Sequence, residues 1–306
     1  MKLIRGLHNF KQALAKSAVT LGNFDGLHLG HQELLARLKA VAAQKKLSTL
    51  VILFEPQPRE FFEKTPTVAR LMRWREKYQA LKAAGIDYCL VLYFKQKLAN
   101  VSADDFVRQI LIEKCNAQFV LVGDDFRYGA KRLGDVSSLQ NYAFEVEQLR
   151  AVVRQEKRIS STQIREALQK GEIEVANQLL GHPYTLLGKV AHGDKRGREL
   201  GFPTANIFLH RKRVPLSGIF AVRIHGADKK TLEGSAYVGT RPVFNGVRVI
   251  MEVHILDFSG DLYGKNLQVE FLHKIRDDQH FDTIGELVAQ IQGDITATRA
   301  YFKQLG

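Results

Sequence analysis

Along the first half of the chain the spacing of apolar residues switches repeatedly between strand and helix. Val19, Thr20 and Leu21 form a short β-branched and aliphatic run, and the pattern turns helical over residues 29–38, continuing over 32–44. STLVILF, residues 48–54, is a continuous apolar run that predicts a buried parallel strand, with the preceding helix as its crossover. A helical pattern over 68–84 ends at Gly85, as at a left-handed cap. Strands are expected at 88–94 and 119–123, separated by an amphipathic helix around 103–113. This strand-helix alternation predicts a doubly wound α/β domain.

Past a helical stretch at 172–180 the texture changes. Gly181, His182 and Pro183 form a stop, which places the domain boundary between residues 1–182 and 183–306. Short strands broken by Gly, Pro and Asn follow at 186–191, 205–209, 219–225, 235–238, 247–257 and 267–275, a pattern that suits a small antiparallel β-barrel. The chain finishes in helices: Ile284, Leu287, Val288 and Ile291 share one face, and a last helix is expected to be capped near Asp294.

Length and composition agree with two globular domains, since 306 residues with 45% apolar content suffice for about two cores. The opening MKLIRGLHNF lacks the apolar run of a signal peptide, and no stretch of about 18 apolar residues offers a membrane span. A soluble cytoplasmic protein is the default, and a monomer is expected. Cys89 and Cys115 have no metal or redox spacing and read as core thiols. A net charge of +13 favours acidic partners, among them phosphorylated small molecules. The basic residues are scattered in pairs and triples with no nucleic-acid motif, so specific nucleic-acid binding is the weaker reading.

The chemistry concentrates in a few runs. After the first apolar strand comes GNFDGLHLGH, with Gly22, Phe24, Asp25, Gly26 and Gly30 around His28 and His31. The two histidines stand three apart where a helix opens, beside unpaired backbone N–H groups and the positive end of the helix dipole, a setting that suits a phosphate. A solvated pair on an amphipathic helix is the plainer alternative. FEPQP, with Phe54 and Pro56, is a stiff loop at a strand's carboxyl end, either a connecting turn or a substrate loop. GDDFRYG, with Asp125, Phe126 and Arg127, is either a nucleotide or flavin contact or a polar turn with a local salt bridge. In RISSTQIREAL, Ser160, Ser161 and Thr162 are cap candidates and Arg165 falls in the first turn; hydroxyls and guanidinium converge on a phosphate, or the run is an ordinary cap with a surface arginine.

In the second half, GKVAHGDKRGRELGFPTAN is a glycine-rich loop with Gly193, Lys195 and Arg198 that leads to Thr204 and Asn206. Two apart on a strand, the threonine hydroxyl and asparagine carbonyl share a face and reach one Mg²⁺, unless P-T-A-N is simply a turn. VRVIMEVHILD places Glu252 between Ile250 and His254 in a strand apolar on much of both faces, which makes it a candidate general base or ion pair. A base is what phosphorylation of an alcohol calls for.

The run GNFDGLHLGH resembles the opening motif of the HxGH nucleotidyltransferases and, in this form, the adenylyltransferase half of the bacterial bifunctional riboflavin kinase/FAD synthetases. GDDFRYG is similar to that family's G-x-D-F-x-F-G run, with Tyr128 where Phe is usual, and ISSTQIR to its second phosphate motif. The second half resembles riboflavin kinase in GxLGFPTAN-like RELGFPTAN, GIFAV, VGTRPVFNG and MEVHILDFSGDLYG. The resemblance implies a Rossmann-like nucleotidyltransferase domain followed by a riboflavin kinase barrel. It implies that His28 and His31 contact ATP phosphates, that Arg165 contacts the leaving pyrophosphate, and that Gly22, Phe24, Asp25, Gly26, Gly30, Asp125, Ser160, Ser161 and Thr162 bind nucleotide. Phe54, Pro56, Phe126 and Arg127 would contact flavin. In the barrel, Glu252 would take the proton of the ribityl 5′-hydroxyl, Thr204 and Asn206 would hold Mg·ATP beneath a flap carrying Gly193, Lys195 and Arg198, and Arg276 would face flavin or phosphate. Riboflavin, FMN and ATP are the implied partners, with FAD as product and Mg²⁺ serving both reactions. The alternative is an HxGH nucleotidyltransferase for another phosphorylated acceptor, its barrel only binding a ligand.

Overall fold

Six parallel strands carry the first half of the molecule: β1 (Lys2–Arg5), β2 (Ser17–Leu21), β3 (Ser48–Glu55), β4 (Tyr88–Tyr93), β5 (Ala117–Gly123) and β6 (Glu145–Leu149), in the order β1-β4-β3-β2-β5-β6. The computed structural model describes residues 1–10, 13–63, 68–154, 157–192, 200–243 and 246–306. Between the strands lie α1 (Leu29–Lys45), α2 (Pro58–Phe62), α3 (Trp74–Ala83), α4 (Gln96–Ala99), α5 (Ala103–Asp105) and α6 (Val136–Leu139). β2 is buried along its whole length because it is central and covered on both faces. On one side α1 contributes Leu34, Leu35, Leu38, Val41 and Ala42 to a core with Phe24 and Leu81; on the other, Ile110, Leu111 and Val122 pack with Phe106. Both cysteines are buried and free, and desolvation pushes each thiol up to about 12.

Strand order reverses between β2 and β5. The loops that leave their carboxyl ends, GNFDGLH and GDDFRYG, therefore open at the switch point where doubly wound sheets bind ligands.

Two compact units divide the chain. The first holds Met1–Val68 and Met72–Ser160, including a small hairpin of β7 (Val153–Arg154) and β8 (Lys157–Arg158); the second holds Ala69–Leu71 and Ser161–Gly306. In the second unit, α7 (Ser161–Lys170) and α8 (Ile173–Leu180) precede six antiparallel strands that close into a barrel. These are β9 (Tyr184–Ala191), β10 (Ala205–Phe208), β11 (Gly218–His225), β12 (Leu232–Val243), β13 (Gly246–Ile255) and β14 (Asn266–Arg276), and around the barrel they run β10-β13-β12-β11-β14-β9. Phe220, Val222, Met251, Val253, Val269 and Phe271 fill it, and Ile164, Leu168, Ile173 and Leu180 from α7 and α8 join the same cluster.

Three expectations about elements need correction. The break near Asp294 is absent: α9 (Ile284–Leu305) is one continuous helix, and Asp294 lies inside it with its carboxylate on Arg276 and its carbonyl accepting from Thr298 Oγ1. α3 begins at Trp74, six residues later than the apolar pattern suggested, because Arg73 is extended and its N–H is accepted by the Glu76 carboxylate, which starts the helix there. The 103–113 helix is α-helical only over Ala103–Asp105 and continues as a π-helix over Phe106–Ile112.

Candidate active sites

Seven residues lead from β2 to the first turn of α1, and three of them, Phe24, Gly26 and Leu27, have φ of 46°, 86° and 43°. Such left-handed backbone is strained for the two that are not glycine, and it folds Phe24 inward until only 1% of it is exposed. His28 then caps α1. Its ring stacks on His31 with centroids 3.7 Å apart and planes 21° from parallel, while Phe24 lies 4.9 Å from His31 on centroids. A Cβ at Gly30 would meet the His28 ring at 3.3 Å, so glycine there admits the imidazole. Burial, then the positive charges of His28 and Lys77, hold the His31 imidazole well below its usual pKa.

Asp25 is buried and accepts the Met72 N–H at 3.0 Å, and Gly22 donates to the Ile52 carbonyl at 3.2 Å. Ile159, next to Ser160, brings its carbonyl to 4.0 Å from a Gly30 Cβ. Within the first unit, the backbone at Ile159 thus runs beside the histidine pair. Asp125 is exposed and shares Arg158 with Asp124, at 3.0 and 2.8 Å. Arg127 is paired with Asp135 at 2.9 Å. Phe54 and Phe126 both pack against the core under β5, Phe54 on Phe94 and Phe106, Phe126 on Tyr128; Pro56 follows β3. Ser161, Thr162 and Arg165 stand in α7, in the second unit, where Arg165 Nε donates to the Ala69 carbonyl at 2.7 Å.

The barrel carries a cavity of about 350 Å³ lined by Thr204, Asn206, Glu252, Arg276 and apolar residues such as Phe202, Ile219 and Ile291. Register explains the grouping. Glu252 stands opposite Asn206 on β10 and opposite Tyr237 on β12, so three neighbouring strands aim these side chains at one space. His254 Nδ1 donates to the Pro203 carbonyl at 3.0 Å and anchors the run into β10. Arg276 holds Asp294 of α9 through two bonds of 2.7 and 2.8 Å and lies 5.7 Å from the Phe281 ring centroid, which makes α9 a wall of the cavity. A second cavity, of about 430 Å³, lies between Val190, Pro203 and the loop of Phe258 to Tyr263, and Thr204 lines both. Gly193, Lys195 and Arg198 lie outside the described residues.

Sequence reasoning missed Lys77, whose ammonium donates to the Asn23 carbonyl, and the pair of Tyr237 and Asp278, joined at 2.9 Å at the rim of the first cavity. Burial, the Asp278 hydrogen bond and nearby carboxylates push the Tyr237 phenol up to about 12. The signal for Lys77 was available: it shares the buried face of α3 with Leu81, a lysine inside an apolar stripe.

A stacked histidine pair at the start of a helix on a doubly wound sheet and a carboxylate-lined cavity in a barrel agree with what known sequences show. A family model for FAD synthetase matches residues 10–163, and one for riboflavin kinase matches residues 180–302. A bifunctional riboflavin kinase/FMN adenylyltransferase of Haemophilus influenzae is 44% identical over 306 residues, with 99% of each chain covered. That of Escherichia coli K12 is 44% identical over 307 residues, covering 99% of this chain and 98% of the other. Among solved structures, a Streptococcus pneumoniae chain described as a macrolide-efflux protein has a TM-score of 0.87 at 32% identity, covering 97% of this chain and 98% of that one. Both halves in one order, over nearly the full length, leave one conclusion: the chain belongs to the bifunctional riboflavin kinase/FMN adenylyltransferase family.

Proposed function

We propose that this chain makes FMN from riboflavin and ATP in its barrel and then converts FMN to FAD on its parallel sheet. The observation that carries the reading is the meeting of Thr204, Asn206 and Glu252 on one cavity whose other walls are largely apolar. A flavin ring suits those walls, and the carboxylate suits the end of its ribityl chain. Glu252 takes the 5′-hydroxyl proton as that oxygen bonds to the γ-phosphorus of ATP, and the bond from γ-phosphorus to the β-bridging oxygen breaks to release ADP. Thr204 lines both cavities, which supports an ATP whose phosphate end reaches from the second toward riboflavin in the first.

Mg²⁺ fits the donors present. Thr204 and Asn206 offer neutral oxygens beside Glu252, and among the described residues no group of three His, Cys, Asp or Glu forms a protein cage. Bound Mg²⁺ would therefore take few protein oxygens, the rest coming from phosphate and water, and would neutralise phosphate charge.

For adenylylation, an FMN phosphate oxygen attacks the α-phosphorus of ATP and pyrophosphate leaves. His28 and His31 donate to the ATP phosphates, Arg165 to the departing pyrophosphate, and Asp125 helps position nucleotide or flavin. Residues 1–182 are assigned to adenylylation and 183–306 to the kinase, a division that falls three residues inside the start of the riboflavin kinase span, 180–302, and well after the FAD synthetase span ends at 163. Among the described residues no helix is long and apolar enough to cross a membrane, and a cytoplasmic monomer goes with a small-molecule enzyme fed by ATP. Incubation with riboflavin, ATP and Mg²⁺, followed by mass spectrometry, tests the reading: FMN and FAD are expected, and absence of FMN would leave the nucleotidyltransferase with another acceptor in its place.

A further inference from the structure

Lys77 is 3% exposed, although an ammonium is costly to take out of water without compensation. Its Nζ donates to the Asn23 carbonyl, inside the turn that carries His28, and the Met72 N–H, just ahead of α3, donates to Asp25 in the same turn. The segment before α3 and α3 itself thus hold the turn at two points. Phe24 and Leu27 adopt left-handed backbone there, a conformation that persists only where its surroundings enforce it.

Building on the adenylyltransferase reading of the first unit, we infer that Lys77 is a positioning residue for adenylyl transfer: its buried ammonium fixes the turn of residues 23–27 beneath His28 and His31 and adds positive field where the ATP phosphates bind. The charged groups acting on His31 are His28 beside it and Lys77 from α3, and with burial they keep its ring neutral. His31 Nδ1 is buried without a hydrogen-bond partner.

Full-length Lys77→Met, Lys77→Gln and Lys77→Arg, each assayed for FMN formation from riboflavin and for FAD formation from supplied FMN, test this, together with NMR titration of the histidine rings. Loss of the charge in the first two should lower kcat for FAD formation about tenfold or more, with a smaller change in KM for ATP and unchanged FMN formation. Lys77→Arg should recover most of the rate. The His31 titration midpoint should rise in Lys77→Met and Lys77→Gln. Should Lys77→Met fail to fold, Lys77→Gln, which keeps a donor for Asn23, carries the same readouts. A kcat within twofold of wild type overturns the inference, as does loss of activity with an unmoved His31 midpoint, since Lys77 would then serve the fold alone. A wild-type chain that makes FMN and no FAD overturns the adenylyltransferase reading instead.

Discussion

Asn206 and Glu252 stand directly opposite each other on antiparallel β10 and β13, and both line the cavity of about 350 Å³ in the barrel. An amide oxygen suited to a metal-bound phosphate and a carboxylate suited to a hydroxyl are thereby held one strand apart, with Thr204 two residues before Asn206. In the proposed kinase reaction that spacing sets a phosphoryl group beside its acceptor.

Asn206→Ala and Thr204→Val should each raise KM for ATP in FMN formation by about tenfold or more, while FAD formation from supplied FMN keeps its wild-type constants. Steady-state kinetics of the two half-reactions check this. Removing Mg²⁺ with a chelator should stop both.

The Arg276 and Asp294 pair predicts a stability effect. Both side chains are largely buried, and Arg276→Ala would leave the Asp294 carboxylate in α9 with Gln290 as its remaining side-chain partner among the described residues. A loss of about 3 kcal/mol is expected, read as a fall in Tm, with weaker riboflavin binding because α9 walls the cavity. Arg276→Ala with an unchanged Tm would show that α9 is held by its apolar contacts instead.

His31 predicts a pH dependence. Its folded pKa is depressed, so below its unfolded value, about 6.5, the unfolded chain takes up a proton that the folded chain does not. Stability therefore falls as pH drops below that value, by at most about 1.4 kcal/mol per pH unit from this group. Denaturant unfolding at pH 7.5 and 5.5 should show a smaller loss in His31→Gln than in wild type.

Much of this architecture was legible beforehand, for physical reasons that differ by element. The central strands β2 to β5 are continuous apolar runs because helices cover both faces, and such runs stand out. The edge strands β1 and β6 were not anticipated: Glu145 and Glu147 of β6 face outward to Lys45 and Arg37, so the segment carries polar residues without a clean alternation. In α9, helical periodicity was visible on both sides of Asp294, yet an aspartate after a glycine resembles a cap; only the position of Arg276, eighteen residues earlier and on another element, makes it an interior residue. For the site, Glu252 showed itself as a carboxylate in an apolar strand, and Thr204 with Asn206 by a two-residue spacing. Asp278 escaped because its partner is a phenol forty-one positions earlier; Lys77 carried a signal as a lysine in an apolar stripe, yet the carbonyl it reaches, fifty-four positions earlier, was not readable. Phe54, Phe126 and Arg127 were read as flavin contacts from motif alone, and each has a packing or ion-pair partner within its own unit.

The account rests on two chemically independent ATP sites in one chain, and parallel assay of both half-reactions on Glu252→Gln and His31→Ala tests that most directly. Glu252→Gln should lower FMN formation by about a hundredfold or more and still convert supplied FMN to FAD, whereas His31→Ala should let FMN accumulate from riboflavin with FAD formation lost. If either substitution, in a folded protein, abolished both reactions together, the two sites would not be separate and the account would be wrong.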